Sequence, residues 1–191
     1  MLYAGLRLEP PMTAMSTHYP DPTLVEPIAR HTLAVVVDNE PGVLARIAGL
    51  FSGRGYNIES LTVSETEHEK HLSRVTIVTA GTNAILQQIK SQLERLVPVH
   101  RVVDLTVQGS AIERELALVK VEGRGETRVE AMRLASAFGA RTVDATLTSF
   151  VYELTGTTDE VERFINLMVA VGLVEVSRTG VAAMGRGTGG M

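Results

Sequence analysis

The chain contains no cysteine and no tryptophan, and aromatic residues make up only 4% of it. Without cysteine it has no disulfide, no thiolate metal site and no cysteine nucleophile. The few aromatic rings supply little surface for stacking on bases, and the net charge of -4 comes without any dense basic run, which argues against nucleic-acid binding. The lack of cysteine also fits a reducing compartment, and we expect a cytoplasmic protein.

Long apolar runs are absent as well, so the sequence predicts no membrane-spanning segment. The N-terminal residues have no continuous apolar stretch of the kind found in secretory signals. They carry prolines at 10, 11, 20, 22 and 27, and proline both fixes φ and lacks an N–H group. We therefore predict a disordered N-terminal arm over residues 1–30, with Met12 and Met15 open as alternative starts.

Residues 31–107 alternate between strand and helix patterns. The run "HTLAVVV" is apolar on both faces, as a central strand is, and a helical pattern follows in "VLARIAGLF". Two strand patterns, "YNIESLTVSET" and "LSRVTIVTA", precede a second helix in "NAILQQIKSQLERLV" and a last strand in "PVHRVVDLTV". This order of elements is the βαββαβ arrangement of ferredoxin-like folds.

The same order recurs in residues 114–180, after a predicted linker at 108–113, and a glycine-rich, flexible tail is predicted over 181–191. In the first helix of this second unit the predicted apolar face is Val129, Met132, Ala135 and Phe138. Thr158 or Asp159 is predicted to cap the second helix. The fold class is therefore α+β, with tandem ferredoxin-like βαββαβ units, of which the second is an α/β sandwich.

Catalytic signatures are absent from the sequence. The segment "HEKH" places His68 and His71 near Glu65, Glu67 and Glu69, but a solvated hairpin turn explains these residues better than a metal site does. The segment "GRGETR" at 123–128 opens a helix, where phosphate can bind, but it lacks the full GxGxxG spacing. We interpret it as an ordinary strand-to-helix turn and predict no catalytic residue and no metal ligand.

The stretch "DNEPGVLARIAGLFSGRGYNIES" is the most informative part of the chain. Pro41 is predicted at the first helical position, where its missing N–H group costs nothing. Gly42 lacks a side chain where the first N–H groups of the helix are exposed, and such groups attract a carboxylate. Gly55 and Asn57 follow one helix length later. An ordinary helix start, with a glycine cap and a turn residue at its end, explains the same pattern.

The residues "DNEPGVLARIAGLF" closely resemble the signature of ACT domains, which are small regulatory modules that bind amino acids. The longer run "NEPGVLARIAGLFSGRGYNIESLTV" resembles one family in particular, the regulatory (small) subunit of acetohydroxyacid synthase, also called acetolactate synthase. Looser matches follow in "RELALVKV", "DATLTSFVYELTGTTDEVERFI" and "VEVSRTGVAAMGRG", so that the resemblance covers about residues 31–187. It implies an ACT domain over 31–107 and a second domain over 114–180.

The resemblance also implies a function. A small subunit of this family has no catalytic site or cofactor of its own; it binds a large catalytic subunit, which uses thiamine diphosphate, Mg²⁺ and FAD to condense two 2-oxo acids. It activates that subunit and makes it sensitive to feedback inhibition by valine, or by leucine or isoleucine. The ACT domains pair into homodimers that share an eight-stranded sheet, with the effector between them.

By this resemblance the effector site takes residues from two protomers. One protomer contributes the segment that matches Asn39, Pro41, Gly42, Val43 and Leu44, and the other contributes Asn57 and Ile58. Two alternatives remain open: an amino-acid-binding regulator of another enzyme or of transcription, and an enzyme on a ferredoxin-like fold such as an acylphosphatase. The absence of a helix-turn-helix segment argues against a transcriptional regulator, and the absence of a phosphate-cradling loop argues against an acylphosphatase.

Overall fold

The computed structural model describes residues 26–67, 71–107 and 111–190, and these form two units that follow each other along the chain. The first unit contains β1 (Ala29–Asp38), α1 (Val43–Ser52), β2 (Ser60–Glu67), β3 (Leu72–Gly81), α2 (Asn83–Leu93) and β4 (Val99–Asp104). The second contains β5 (Ile112–Glu122), α3 (Gly125–Ala137), β6 (Arg141–Ala145), β7 (Ser149–Gly156), α4 (Thr158–Val169), β8 (Leu173–Arg178) and β9 (Ala182–Met184). Each unit follows the βαββαβ order, with β9 added at the end, and the predicted fold class is confirmed.

The sheet of the first unit is antiparallel, with the strand order β2-β3-β1-β4. Its central strand β1 pairs with β3, where Val35 lies opposite Val75, and with β4, where Val35 lies opposite Val102. Residues Leu33 to Val35 of β1 are completely buried. A strand that is apolar on both faces requires cover on both faces, and β1 has it.

The helices α1 and α2 cover one face of this sheet. Ile47 and Phe51 of α1, together with Ile89 and Leu93 of α2, pack against β1 in one buried cluster. All four side chains are essentially inaccessible to solvent. This cluster is the hydrophobic core that fixes α1, and hence its first turn, relative to the sheet.

A two-stranded ribbon from the second unit covers the other face. The ribbon consists of residues 111–114 and 181–184, in which β9 pairs antiparallel with the start of β5. Val181 and Ala183 are buried against the first sheet, in a cluster with Ala34, Val78 and Val103. The ribbon therefore completes the first unit with residues from the far end of the chain.

The ribbon corrects two predicted boundaries. Ile112 and Glu113 fall in the predicted linker at 108–113 but belong to β5, and residues 182–184 form β9 within the predicted flexible tail. Ala29 and Arg30, which the sequence assigned to the disordered arm, belong to β1. Residues 1–25 and 108–110 lie outside the described residues. The helical patterns carry no information about which distant segment covers a sheet face, so the ribbon could not be predicted from them.

The second unit repeats the arrangement, with the strand order β6-β7-β5-β8. Its helices α3 and α4 pack on one face of the sheet, around a cluster that contains Tyr152, Phe164 and Met168. Half of the predicted apolar face of α3 is wrong, because Val129 and Met132 are about half exposed, at 56% and 51%. The other two members fit the prediction, since Ala135 is buried and Phe138 packs against the core. The buried face of α3 is formed by its alanines, whose small side chains let the helix lie close to its neighbours.

The first turn of α4 corrects a second detail. Thr157, rather than Thr158 or Asp159, caps this helix: its hydroxyl accepts a hydrogen bond from Glu160 N at 3.3 Å, and the Glu160 carboxylate accepts one from Thr157 N at 2.7 Å. This reciprocal pair is a capping box. The bonds that the carboxylate accepts lower the pKa of Glu160. None of the four helices in the described part of the chain has the length and apolar composition needed to cross a bilayer.

The turn between α4 and β8 yields a first prediction. Gly172 has φ +95°, and a Cβ atom there would lie 2.0 Å from the carbonyl oxygen of Glu122. The change Gly172→Ala should lower the free energy of unfolding by at least about 2 kcal/mol, because left-handed strain and a backbone clash act together. The matched control is Gly139→Ala, where φ is +68° but no atom lies within 4 Å of the new methyl group. Urea unfolding followed by circular dichroism would compare them; equal losses would contradict the role given to the clash.

Candidate functional site

The first turn of α1 lies at the end of the central strand β1. Gly42 is the N-cap residue, with φ +88°, and Val43 is the first helical residue. Pro41 therefore precedes the cap, and its predicted place at the first helical position is wrong. A positive φ favours glycine at position 42, so the backbone conformation, rather than close packing, explains this residue. Among the described residues, no atom lies within 4 Å of the place that a Cβ atom would take, so this part of the turn is open to them.

The N–H groups of this turn are poorly satisfied. Arg46 N donates to Gly42 O at 3.0 Å, but Val43 N reaches Glu40 O only at 3.4 Å. Within the described residues, α1 is the one helix whose first turn has neither a side-chain cap nor an acidic residue: α2 and α4 have threonine caps, and α3 has Glu126. Unpaired N–H groups at a helix start carry a partial positive charge. The turn is therefore suited to bind a carboxylate.

The side chains around this turn have different surroundings. Asn39, Pro41 and Gly42 are exposed, and Asn39 N donates to His71 O at 2.6 Å, which fixes the turn on the start of β3. Leu44 is 44% exposed and offers an apolar surface beside the helix start. Val43, by contrast, is 4% exposed and belongs to the hydrophobic core. Of the predicted site residues, Val43 therefore contributes its backbone to this surface and not its side chain.

Asn57 and Ile58 lie at the other end of α1, just before the edge strand β2. The Asn57 side chain is exposed, while its carbonyl oxygen accepts a hydrogen bond from Thr79 Oγ1 at 2.6 Å. Ile58 is partly buried against the core. The 10 residues of α1 separate this segment from Gly42 by roughly 15 Å along the helix axis. One protomer therefore does not bring the two groups of predicted site residues together.

A second concave region lies between the two units and is held by ion pairs. Arg178 binds both carboxylate oxygens of the buried Glu115, at 2.7 and 2.8 Å, and also Glu162 at 2.8 Å. These hydrogen bonds, led by those to Glu115, raise the pKa of Arg178. Arg30 contacts Glu59 at 3.2 Å, in the first unit, and Glu113 at 3.2 Å, in the second. The two arginines and three of their acidic partners, Glu59, Glu115 and Glu162, line a cavity of about 480 Å³ between the units.

The structure gives no support for a ligand site at either the "HEKH" segment or the "GRGETR" segment. His68 and Glu69 of the "HEKH" segment lie outside the described residues, and the described ones contain no cluster of three side chains able to hold a metal ion. At the "GRGETR" turn, Glu126 places a carboxylate in the first turn of α3. That charge competes with any phosphate for the same N–H groups, in agreement with the interpretation of an ordinary turn.

Two family models match the chain. Residues 33–101 match the model described as "AHAS small subunit-like ACT domain", and residues 114–187 match the one described as "Small subunit of acetolactate synthase". The chain belongs to the acetolactate synthase small-subunit family. The first unit is thus the ACT unit, and α1 with its uncapped first turn lies within it.

Individual proteins agree with the family models. The chain is 48% identical to the "Probable acetolactate synthase small subunit" of Archaeoglobus fulgidus, over 83% of this chain and 98% of that protein. It is 45% identical to the acetolactate synthase isozyme 3 small subunit of Salmonella typhimurium, over 83% and 96%. The crystal structure of the acetolactate synthase small subunit from Thermotoga maritima superposes with a TM-score of 0.76 at 36% identity, covering 84% of this chain and 99% of that one. The resemblance seen in the sequence is confirmed.

Proposed function

We propose that this small subunit binds and activates a thiamine-diphosphate-dependent acetolactate synthase catalytic subunit and makes it sensitive to feedback inhibition by a branched-chain amino acid, first of all valine. The observation that supports the proposed feedback inhibition is the open, uncapped first turn of α1 in the ACT unit. In this proposal thiamine diphosphate, Mg²⁺ and FAD belong to the catalytic subunit, and this chain supplies control rather than chemistry.

The effector's carboxylate would bind at the first turn of α1. The N–H groups of the turn point at the space above Gly42, and the aligned peptide dipoles place roughly half a positive charge at a helix start. The attraction between a carboxylate and this partial charge contributes about 0.3–2 kcal/mol, depending on burial. A charge-assisted hydrogen bond from one N–H group to the carboxylate contributes about 1.5–3 kcal/mol. Backbone N–H groups recognise only the carboxylate, which all amino acids share. Selectivity among amino acids therefore has to come from the side chains around the turn.

The rest of a branched-chain amino acid would be read by side chains from both half-sites. Asn39 and Asn57 carry amide oxygens that accept hydrogen bonds from an ammonium group. Leu44 is exposed next to the turn, and Ile58 is partly exposed beside Asn57, so both offer apolar surface to an aliphatic side chain. An aliphatic amino acid matches this combination of one anion site, two amides and two apolar residues.

The topology of the ACT sheet explains how two protomers would complete the site. The register pairs Asp38 at the end of β1 with Leu72, and Leu72 with Glu67 at the end of β2. The α1 turn and the end of β2 therefore lie at the same end of the sheet. If the edge strand β2 pairs antiparallel with β2 of a second copy, the partner's β2 begins at that end and brings its preceding Asn57 there.

Edge pairing of this kind also accounts for the surface of β2. Val63 on this strand is 49% exposed, and among the described residues β2 pairs with another strand on its β3 side alone. An unpaired edge is a ready template for another strand. Two four-stranded sheets joined in this way give one eight-stranded sheet per dimer, with two effector sites related by the two-fold axis.

A reconstitution experiment tests the proposal. The purified chain alone should form no acetolactate from pyruvate, it should raise the activity of a purified catalytic subunit, and valine should reverse that rise. Sedimentation should show at least a dimer at micromolar concentration. Failure to stimulate would contradict the regulatory function itself, whereas stimulation without any response to valine, leucine or isoleucine would contradict only the effector site.

A further inference from the structure

Two arginines stand in one row across the ACT sheet, on the face that the ribbon covers. The register places Arg74 of β3 and Arg101 of β4 on either side of Val36 in the central strand. Val35 and Val37 belong to the core on the helix side, so the Val36 row faces away from the helices. Neighbouring strands are about 4.8 Å apart, which puts the two arginine Cα atoms roughly 10 Å from each other, within reach of two converging side chains.

Neither arginine has an acidic partner among the described residues. Arg74 Nη2 donates to Ala183 O at 2.7 Å, and Arg101 Nη1 donates to Gly190 O at 3.2 Å. The Nε atom of Arg74 is buried and has no hydrogen-bond partner in the part of the chain that the structure describes. Burial lowers the pKa of Arg74. The surroundings of Arg178 differ, since two carboxylates, those of Glu115 and Glu162, lie within hydrogen-bond distance of its guanidinium.

The two side chains line a cavity of about 210 Å³ beneath the segment that follows β9. Its other walls include Val103, Leu105 and Met184, and backbone from the glycines at 185, 187, 189 and 190. Glycine lets a ligand approach the main chain closely, and successive N–H groups of such a segment bind anions. One water occupies roughly 30 Å³ of liquid, so the cavity has room for a small oxyanion together with some water.

We propose that this cavity binds a phosphate group between Arg74 and Arg101, beneath residues 184–190. A guanidinium donates two parallel hydrogen bonds to the oxygens of one phosphate, and the free Nε of Arg74 is one of the donors that such a fork uses. None of the described residues places a carboxylate next to these two arginines, and the phosphate would supply the missing negative charge. It would also hold the glycine-rich segment on the ACT sheet. This site is separate from the effector site and does not rest on the regulatory proposal.

Calorimetric titration of the full chain with inorganic phosphate at constant ionic strength tests this site. We expect a Kd of about 1 mM or below, and we expect Arg74→Gln and Arg101→Gln each to weaken binding at least tenfold, because each loses a charge-assisted fork. The matched control is Arg133→Gln, an arginine that is 76% exposed in the second unit, and it should bind like the parent. Phosphate binding that is absent in the parent, or unchanged in both cavity variants, would overturn the proposal.

An amide spectrum of the parent chain keeps the test independent of any folding defect in the variants. Phosphate should shift the backbone signals of Gly185, Gly187, Gly189 and Gly190 while leaving those of Gly139 and Gly172 in the second unit in place. Titration with a phosphate monoester such as glycerol phosphate, and with ATP, separates free phosphate from the terminal group of a larger molecule. Shifts spread over all arginine-rich surfaces would mean non-specific ion binding and would contradict a built site.

Discussion

Replacing Gly42 by aspartate is expected to abolish feedback inhibition of the reconstituted complex while leaving its activation intact. A carboxylate on residue 42 would occupy the N–H groups of the α1 turn, which lack a cap in the parent chain, and would repel the carboxylate of the effector. The loss of one charge-assisted contact costs about 1.5–3 kcal/mol, or about one to two decades in affinity. The measurement is acetolactate formation against increasing valine, leucine and isoleucine.

Gly42→Asn is the matched control. Asparagine has nearly the shape of aspartate, and both residues tolerate the left-handed conformation better than other side chains do, so the backbone strain at φ +88° is the same in the two variants. Only the charge differs. We expect the asparagine variant to retain measurable inhibition, at a higher valine concentration than the parent needs. If aspartate and asparagine have the same effect, crowding or strain is responsible, and the carboxylate does not bind where we place it.

Mixed dimers would show whether two protomers share one site. Asn57→Ala should also impair inhibition, because the amide of Asn57 belongs to the opposite half of the site. In a dimer of one Gly42→Asp chain and one Asn57→Ala chain, one site carries both defects and the other carries none. Mixing the two effector-insensitive variants should therefore restore one of the two sites in each mixed dimer, which is about a quarter of all sites after random exchange of equal amounts. No restoration after verified subunit exchange would contradict a shared site.

The local features of the ACT unit could be predicted from the sequence because they depend on neighbours in the chain. The apolar run in β1 and the helical spacing of the apolar residues in α1 indicate which of their side chains are buried. The predicted helix start lies within one or two residues of Val43. Pro41 was misplaced by two positions because Gly42 takes the cap conformation. At α4 the same kind of shift occurred, since the capping box uses Thr157 and the sequence offers three candidate residues in a row.

The features that were missed depend on contacts between distant residues. The segment after β8 is rich in glycine, and nothing in its own pattern shows that Val181 and Ala183 cover the ACT sheet. A signal did exist on the other side of that contact: β1 is apolar on both faces, although the first unit has helices for only one of them. The row formed by Arg74 and Arg101 likewise requires the strand register, which sequence periodicity alone does not supply.

The ribbon also connects the proposed effector site with the second unit. Residues 57–62 form one continuous segment, in which Asn57 and Ile58 belong to the proposed half-site and the next residues bind the ribbon. Ser60 Oγ accepts a hydrogen bond from Val181 N at 2.9 Å, and Thr62 Oγ1 donates to Val181 O at 2.8 Å. A change at Asn57 therefore needs to travel only three to five residues to reach the ribbon. Val181 itself is 2% exposed, so its packing is sensitive to small displacements of that segment.

Val181→Asp should consequently separate effector binding from inhibition. A buried, unpaired carboxylate costs several kcal/mol of free energy. That cost exceeds the free energy by which two hydrogen bonds and a small apolar contact stabilise the ribbon on the ACT sheet, so the ribbon should detach. Valine binding to the isolated subunit should stay near the parent value, because neither half-site is altered, while inhibition of the complex is lost. The control is Ala182→Asp, whose side chain is exposed on the same ribbon and should leave both properties unchanged. Hydrogen exchange at residues 181–184 would report the detachment directly. A detached ribbon with full inhibition by valine would show that the signal reaches the catalytic subunit from the ACT unit alone.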